Sequence, residues 1–489
     1  MYVRVRYAVL VPCLLFGLFF VPGCPDPKCS LTVTIAPEKA RLAGAQWVLG
    51  GGQWRNSGET ASDLLPGNYT VQCSDLNAWV APQPVEVALT AGENREMTVT
   101  YTQQAFAPDG RMILSYGTGD WANAIIETTD GGLVVAGAAS VDTNNRDLLV
   151  AKLTAEGVLV WDRLIGGEDH DEAKDVIQTS DGGYLLAGQW TDASNLDACL
   201  VKLDANGNEV WAYQYGSPAV TDLEIAEAVV EVADGYVFAG FTSSSGSGDV
   251  YLVKVDLNGA VQWTRAFGVD HNGDSAFDLL TTADDGFILA GDTQPALEDL
   301  RDFLLVKTDA SGTVVWSERY GSPGEAPDQE TTQAAFAVAP VNGGYALAGY
   351  TRQYQPTDGM PFVGYLVTTN ASGTALSTVD YFDEAPNQLF AVDATSDGGL
   401  ICAGWGNSPG VIAGVPVEHE DFLLLKTTAQ GAKTWVKRIG NEDVSWERAN
   451  AVIELSTGGY VMAGYTTMGE ETTGFDVLVV RTDPTGNVG

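Results

Sequence analysis

Residues 119 to 489 carry one pattern seven times over, and this recurrence constrains the fold more tightly than any single residue does. The repeats open near Ala122, Ala173, Ala226, Ala276, Ala334, Leu389 and Ala449. Each runs through a short apolar stretch, a Gly-Gly-type turn, Ala-Gly, a hydrophobic stretch ending in Lys, a second turn and, in most repeats, Trp. The second glycine of the first turn falls at Gly132, Gly183, Gly235, Gly286, Gly344, Gly399 and Gly459, about 51 to 60 residues apart. Four short strands in every period, separated by tight turns, predict an all-β chain built as a seven-bladed β-propeller.

The second repeat shows the plan. Ala173 to Thr179 is expected as strand a, Tyr184 to Gly188 as b, Asp197 to Leu203 as c and Glu209 to Tyr215 as d. Asp181-Gly182-Gly183 and Ala205-Asn206-Gly207 supply the positive φ angles that tight hairpins require. Repeat seven runs out at Thr485 to Gly489, where its strand d would begin, and Arg111 to Gly117, ahead of repeat one, has the shape of that missing strand. One blade is therefore expected to be completed from both ends of the array, which removes its open sheet edge.

What recurs in every blade is most simply scaffold. Ala-Gly, ending at Gly137, Gly188, Gly240, Gly291, Gly349, Gly404 and Gly464, allows close approach of backbones or a local bulge. Six repeats place an acid five residues before a base, as in Asp147 and Lys152 or Asp197 and Lys202. Residues five apart on a strand face opposite sides, so each is read as a surface or loop-bracing group. Trp161, Trp211, Trp263, Trp316 and Trp435 mark the outer strand and are expected to cover blade flanks.

The amino terminus reads as an export signal over residues 1–23. Arg4 and Arg6 precede an apolar run from Ala8 to Val21 that is short for a membrane span. Val21-Pro22-Gly23-Cys24 follows, and Pro25 and Pro27 break any continuation. This segment resembles the lipobox of bacterial lipoproteins, which implies lipidation at Cys24, a 24–29 linker, and residence in the cell envelope at the outer membrane or cell surface. The chain would then meet the membrane through that anchor alone. Lys and Arg number 25 against 64 Asp and Glu, so nucleic acid is an unsuitable partner and cationic ligands are favoured. Of the six cysteines, Cys29 and Cys73 fall in or beside one small amino-terminal unit, and export would permit a disulfide between them; Cys199 and Cys402 lie in apolar strands as core residues.

That small unit spans residues 30–104, ahead of the propeller at 105–489. Leu31 to Ile35, Tyr69 to Val71 and Met97 to Tyr101 alternate as half-buried strands. With Ala36-Pro37, Gly50-Gly51-Gly52 and Leu65-Pro66-Gly67-Asn68-Tyr69, the segment resembles PEGA-type and carboxypeptidase-regulatory-like β-sandwiches, which implies a spacer or binding module. The long array resembles exported bacterial and archaeal propeller proteins with repeats of the form TxDGGY…AG…DxxLVKxDxxGxxxW. That resemblance implies fold and address and no activity.

Function is expected where repeats differ, on the face carrying the b–c loops and d–a connections. Off-pattern aromatics there, Trp121, Trp190, Tyr354, Trp405 and Trp446, suit a glycan or an envelope protein as partner. Asp270, Asn272, Asp274 and Asp278 stand at positions one, three, five and nine of a loop, a spacing of hard oxygen ligands that suits Ca²⁺; Ser275 replaces the glycine preferred in such loops. The leading expectation is a non-catalytic, lipid-anchored propeller for protein or glycan binding or scaffolding. A carbohydrate-active hydrolase or lyase using two carboxylates of the variable face is the alternative.

Overall fold

A computed structural model describes residues 28–489 apart from 43, 75–78, 104, 118, 142–144, 193–194, 217–221, 245–247, 269–272, 295–300, 322–331, 353–361, 382–386, 413–414, 441–444 and 468–473. The chain divides into two compact units, Met1–Thr102 and Gln103–Gly489.

In the first unit, Cys29–Ala36 pairs antiparallel with Thr60–Leu64 and parallel with Asn94–Thr100. A second sheet runs in the order Arg55–Asn56, Gln46–Leu49, Gly67–Cys73, Val85–Leu89. Leu31, Val33, Ile35, Trp47, Val71, Val87 and Val99 form the shared core, alternation on each strand turning one side inward. The disulfide that export would permit between Cys29 and Cys73 is not formed: both are free thiols. Their strands belong to different sheets; Cys29 stands opposite Leu64 and donates to Thr90 O at 2.8 Å, whereas Cys73 stands opposite Trp47.

The second unit contains seven four-stranded antiparallel sheets, each in the order a-b-c-d. Blade two consists of Glu172–Gln178, Tyr184–Asp192, Asn195–Leu203 and Glu209–Tyr215, so its strand b runs four residues past the expected end at Gly188. The last blade is completed as expected: Arg111–Leu114 pairs with Asp476–Thr482, Met112 lying opposite Val479. Blade six departs from expectation in a different way. The residues expected as a b–c loop from Trp405 to Glu420 continue its strands b and c, Leu400–Ile412 and Val415–Thr427, as a two-stranded ribbon. Strand a pairs only as far as Gly406 and strand d only as far as Phe422.

Adjacent blades lock together through the residues that recur. Trp161 meets Tyr184 of the next blade edge-on, with ring centroids 5.6 Å apart. Gly207 is required beside that ring, since its φ is +75° and a Cβ would lie 2.7 Å from the indole. At the end of strand d, the hydroxyls of Tyr215, Tyr320 and Tyr381 donate to the carbonyls of Gly259, Gly373 and Gly431 in the next blade. On the hairpin face, Lys152, Lys202, Lys254, Lys307 and Lys426 ion-pair with Asp130, Asp181, Asp234, Asp284 and Asp397 of their own a–b turns. The lysine of the repeat is thus a turn brace.

Candidate functional site

Every innermost strand carries a β-bulge at the same place, between Ala122 and Ala124, Ala173 and Asp175, and so on round the ring to Ala449 and Ala451. The Ala-Gly of strand b explains it. A Cβ at Gly137 would lie 2.0 Å from Trp121 O, and one at Gly188 2.0 Å from Glu172 O, so only glycine lets strand a press this close. The extra residue in a bulge is left out of the ladder. In these blades it lines a central cavity of about 270 Å³.

The seven bulge residues divide that cavity into two walls. Phe277, Phe336 and Phe390 stand on blades four to six, whereas Asn450, Asn123, Lys174 and Glu227 stand on blades seven and one to three. The phenylalanines touch in sequence, 5.4 Å between Phe277 and Phe336 and 5.2 Å between Phe336 and Phe390. The aromatic run continues from Phe336 through Tyr350 and Phe362 to Trp405 near the b–c face. On the polar wall, Glu172 accepts from Trp121 Nε1 and Asn123 Nδ2 and pairs with Lys174 Nζ at 3.0 Å. Although burial would raise its pKa, Lys174 and these donors hold Glu172 below the ordinary carboxylate value. Glu227 differs: burial pushes its carboxyl upward, Lys174 opposes and Glu172 adds to the rise.

Sequence reasoning missed a second ring. Asp120, Asp171, Glu224, Asp274, Gln333, Asn387 and Glu447 are all buried at the start of strand a. Their signal was available, because each stands two residues before the small or apolar residue that begins the bulge. Asp120 accepts from the amides of Tyr116, Gly117 and Ser140, Asp171 from Gly167 and Thr191, and Asn387 from Gly364. These groups tie the d–a connection to neighbouring strands. Burial raises the Glu447 carboxyl to about 7, against Arg111 and with the help of Asp421.

The residues expected to bind a ligand fare differently. Cys24, Tyr354, Asp270 and Asn272 lie outside the described residues. Asp278 is not a loop residue: it sits within strand a and its two oxygens accept from the amides of Leu279 and Val338, so it braces blade four to blade five. Asp274 belongs to the buried ring, and no group of three or more His, Cys, Asp or Glu among the described residues is arranged to hold a metal. The spacing that suggested Ca²⁺ is therefore broken at its ninth position. Trp405 is buried, contrary to the expectation of an open platform; it donates to Gln388 Oε1 and lies under the Arg448 guanidinium, 5.2 Å from the ring centroid. Trp121 is half-buried beneath Arg146, and Trp190 packs partly buried between blades one and two.

Trp446 is the expected aromatic that faces solvent, 49 % exposed, its backbone held by Thr467. Phe475, missed in the sequence, is 41 % exposed just ahead of strand c of the same blade and meets Tyr465 edge-on at 4.9 Å. Arg448, two residues after Trp446, makes a two-pronged contact with Glu420 at the foot of the blade-six ribbon.

Fold and channel together define the chain as a seven-bladed β-propeller with an amphipathic centre. No protein-family model matches it, and no curated protein matches it in sequence. Among solved structures it is similar to a protein of unknown function from Dyadobacter fermentans, 11% identical over 76% of this chain and 98% of that one, with a TM-score of 0.38. It is also similar to Sqt1 of Chaetomium thermophilum, 14% identical over 76% and 84%, TM-score 0.43. A third likeness is to the α-L-arabinanase of Penicillium chrysogenum, 11% identical over 77% and 99%, TM-score 0.39. Likeness this distant says nothing about ligand or chemistry.

Proposed function

We propose that the protein is a non-catalytic binding propeller of the bacterial cell envelope, anchored by lipid at Cys24, that docks an envelope protein or glycan on its b–c and d–a face at blades six and seven. The observation that carries this reading is the division of labour between residue types. Carboxylates that a hydrolase would need as acid and nucleophile are engaged in bracing: Asp120, Asp171, Asp278 and Asp393 each accept backbone amides. Two large aromatics, in contrast, are exposed at the b–c and d–a end of blade seven, Trp446 and Phe475, in the blade that Arg448 ties to the foot of the blade-six ribbon. Exposed aromatic surface is a feature of docking surfaces. The run of Val21-Pro22-Gly23-Cys24 behind an apolar segment supports the anchor.

The test is a pull-down from detergent-solubilised envelope with the anchored protein as bait. Wild type is expected to retain a partner that a Trp446→Ala, Phe475→Ala double variant loses while melting at an unchanged temperature. Equal recovery by both baits would refute the assignment of this rim.

A further inference from the structure

The central cavity has its own chemistry, separate from the rim and independent of whether a partner docks there. Three half-buried phenylalanines form one wall, and nothing in the repeat requires them: the same bulge position holds Asn, Lys or Glu in the other four blades. Facing them across the cavity are Lys174 and Glu227, and Glu172, outside the lining itself, completes a short charged row by pairing with Lys174. The single cation of that row is committed, because Lys174 lies 3.0 Å from Glu172, which also receives Trp121 and Asn123. Glu227 is left over. No hydrogen bond from another described residue reaches its carboxylate, and the side chain is half-buried and lines the cavity. The row therefore carries one net negative charge opposite an aromatic wall.

A carboxylate in a partly desolvated site attracts a cation more strongly than the same group does in water, because the local dielectric is lower. Aromatic faces attract cations through their quadrupole and also cover hydrocarbon. Divalent metal ions are poorly served, since one carboxylate with phenylalanine neighbours offers too few oxygens. A sugar would find stacking surface, but the Asn123 and Asn450 amides already donate to Glu172 and to the carbonyls of Ala173 and Ala122. The remaining fit is a single positive charge on an apolar body, and 64 acidic residues against 25 basic ones draw such ions toward the protein.

We propose that the central channel binds a monovalent organic ammonium ion, its charged head against Glu227 and its hydrocarbon against Phe277, Phe336 and Phe390. Asp175, Asp278 and Asp393 also line the cavity; their oxygens are engaged by backbone amides, so they add to the negative field there while Glu227 is the carboxylate left open to contact an ion directly.

Isothermal titration of the whole protein with benzyltrimethylammonium tests this, with benzyl alcohol and phenylacetate as neutral and anionic counterparts. The cation is expected to bind at least about tenfold more tightly than either, and its affinity is expected to fall as salt is raised. Glu227→Gln should abolish the preference for the cation over the alcohol. Lys174→Met, which removes the competing charge, should strengthen cation binding. Phe336→Leu keeps an apolar side chain of similar bulk but removes the aromatic face, and is expected to weaken cation binding by roughly 3- to 10-fold. Melting temperatures for each variant separate loss of the site from loss of the fold. The proposal is overturned if the alcohol binds as well as the cation, if folded Glu227→Gln retains the preference, or if millimolar cation produces no binding heat and no melting shift in wild type.

Discussion

Met112 lies directly opposite Val479, joining a strand that precedes the first repeat to the last strand of the seventh. Both side chains are buried, and Gly110 O accepts from Arg481 N at 2.8 Å beside them. Arg111 extends the junction to blade six by donating to Gly440 O. Ring closure thus depends on a four-residue strand whose Ile113 packs against the core of Met462 and Leu478 and whose Met112 is buried on the other face. Met112→Ala is expected to cost about 2–5 kcal/mol in chemical denaturation, the usual range for emptying such a site. Val315→Ala, on an outer strand where the side chain is 60 % exposed, should stay within about 0.5 kcal/mol. Equal, small losses for both would contradict the closure.

The tyrosine staples between blades give a second expectation. Tyr381→Phe removes the hydroxyl that donates to Gly431 O at 2.8 Å in a buried setting, and leaves that carbonyl without the donor. A loss of about 1–2 kcal/mol in unfolding free energy is expected. No measurable change would show that water replaces the hydroxyl at no cost.

Stability should peak near pH 4 and fall on both sides. Against the upward push of burial, the Thr179 hydroxyl, the Gly183 amide and Lys202 hold Asp181 at about 2; Thr395 and Lys426 hold Asp397 at about 2. Lowered carboxyls contribute stability above their ordinary value of 3.8, and lose it as pH falls toward 2. Raised carboxyls act in the opposite sense. Burial lifts Asp278 and Glu447 to about 7, so the stability present below about 4 is lost as pH climbs through 7. Melting curves across pH 2 to 8 check both limbs. Lys202→Met should shallow the acid limb and Glu447→Gln the neutral one.

Anchoring is tested by fractionation. Cys24→Ser should move the protein out of the membrane fraction or stall its processing. Normal cleavage with unchanged membrane retention would rule out the lipid.

The ring of blades was legible because the same backbone geometry is demanded seven times: Asp181-Gly182-Gly183 must turn, Gly188 must admit the bulge, and Trp161 must cover the next blade. Even the closing strand Arg111–Leu114 could be found by its likeness to a strand d. The site was less legible. Attention to loops overlooked Phe277, Phe336 and Phe390, which sit inside regular strands where an apolar residue reads as core. Only the bulge, a register shift that depends on strand b, turns them toward the channel. Trp405 failed as an open platform for a related reason: the ribbon of blade six extends the sheet past it, and Arg448 from blade seven covers its ring. Contacts of that kind join residues 43 apart in sequence and leave no local trace.

The claim that binding belongs to the rim of blades six and seven is tested most directly by hydroxyl-radical footprinting of the anchored protein with and without solubilised envelope. Trp446 and Phe475 are expected to lose reactivity when the extract is present, whereas Leu257, 51 % exposed in a c–d turn of the hairpin face, keeps it. Protection of Leu257 with Trp446 and Phe475 unchanged would contradict the account.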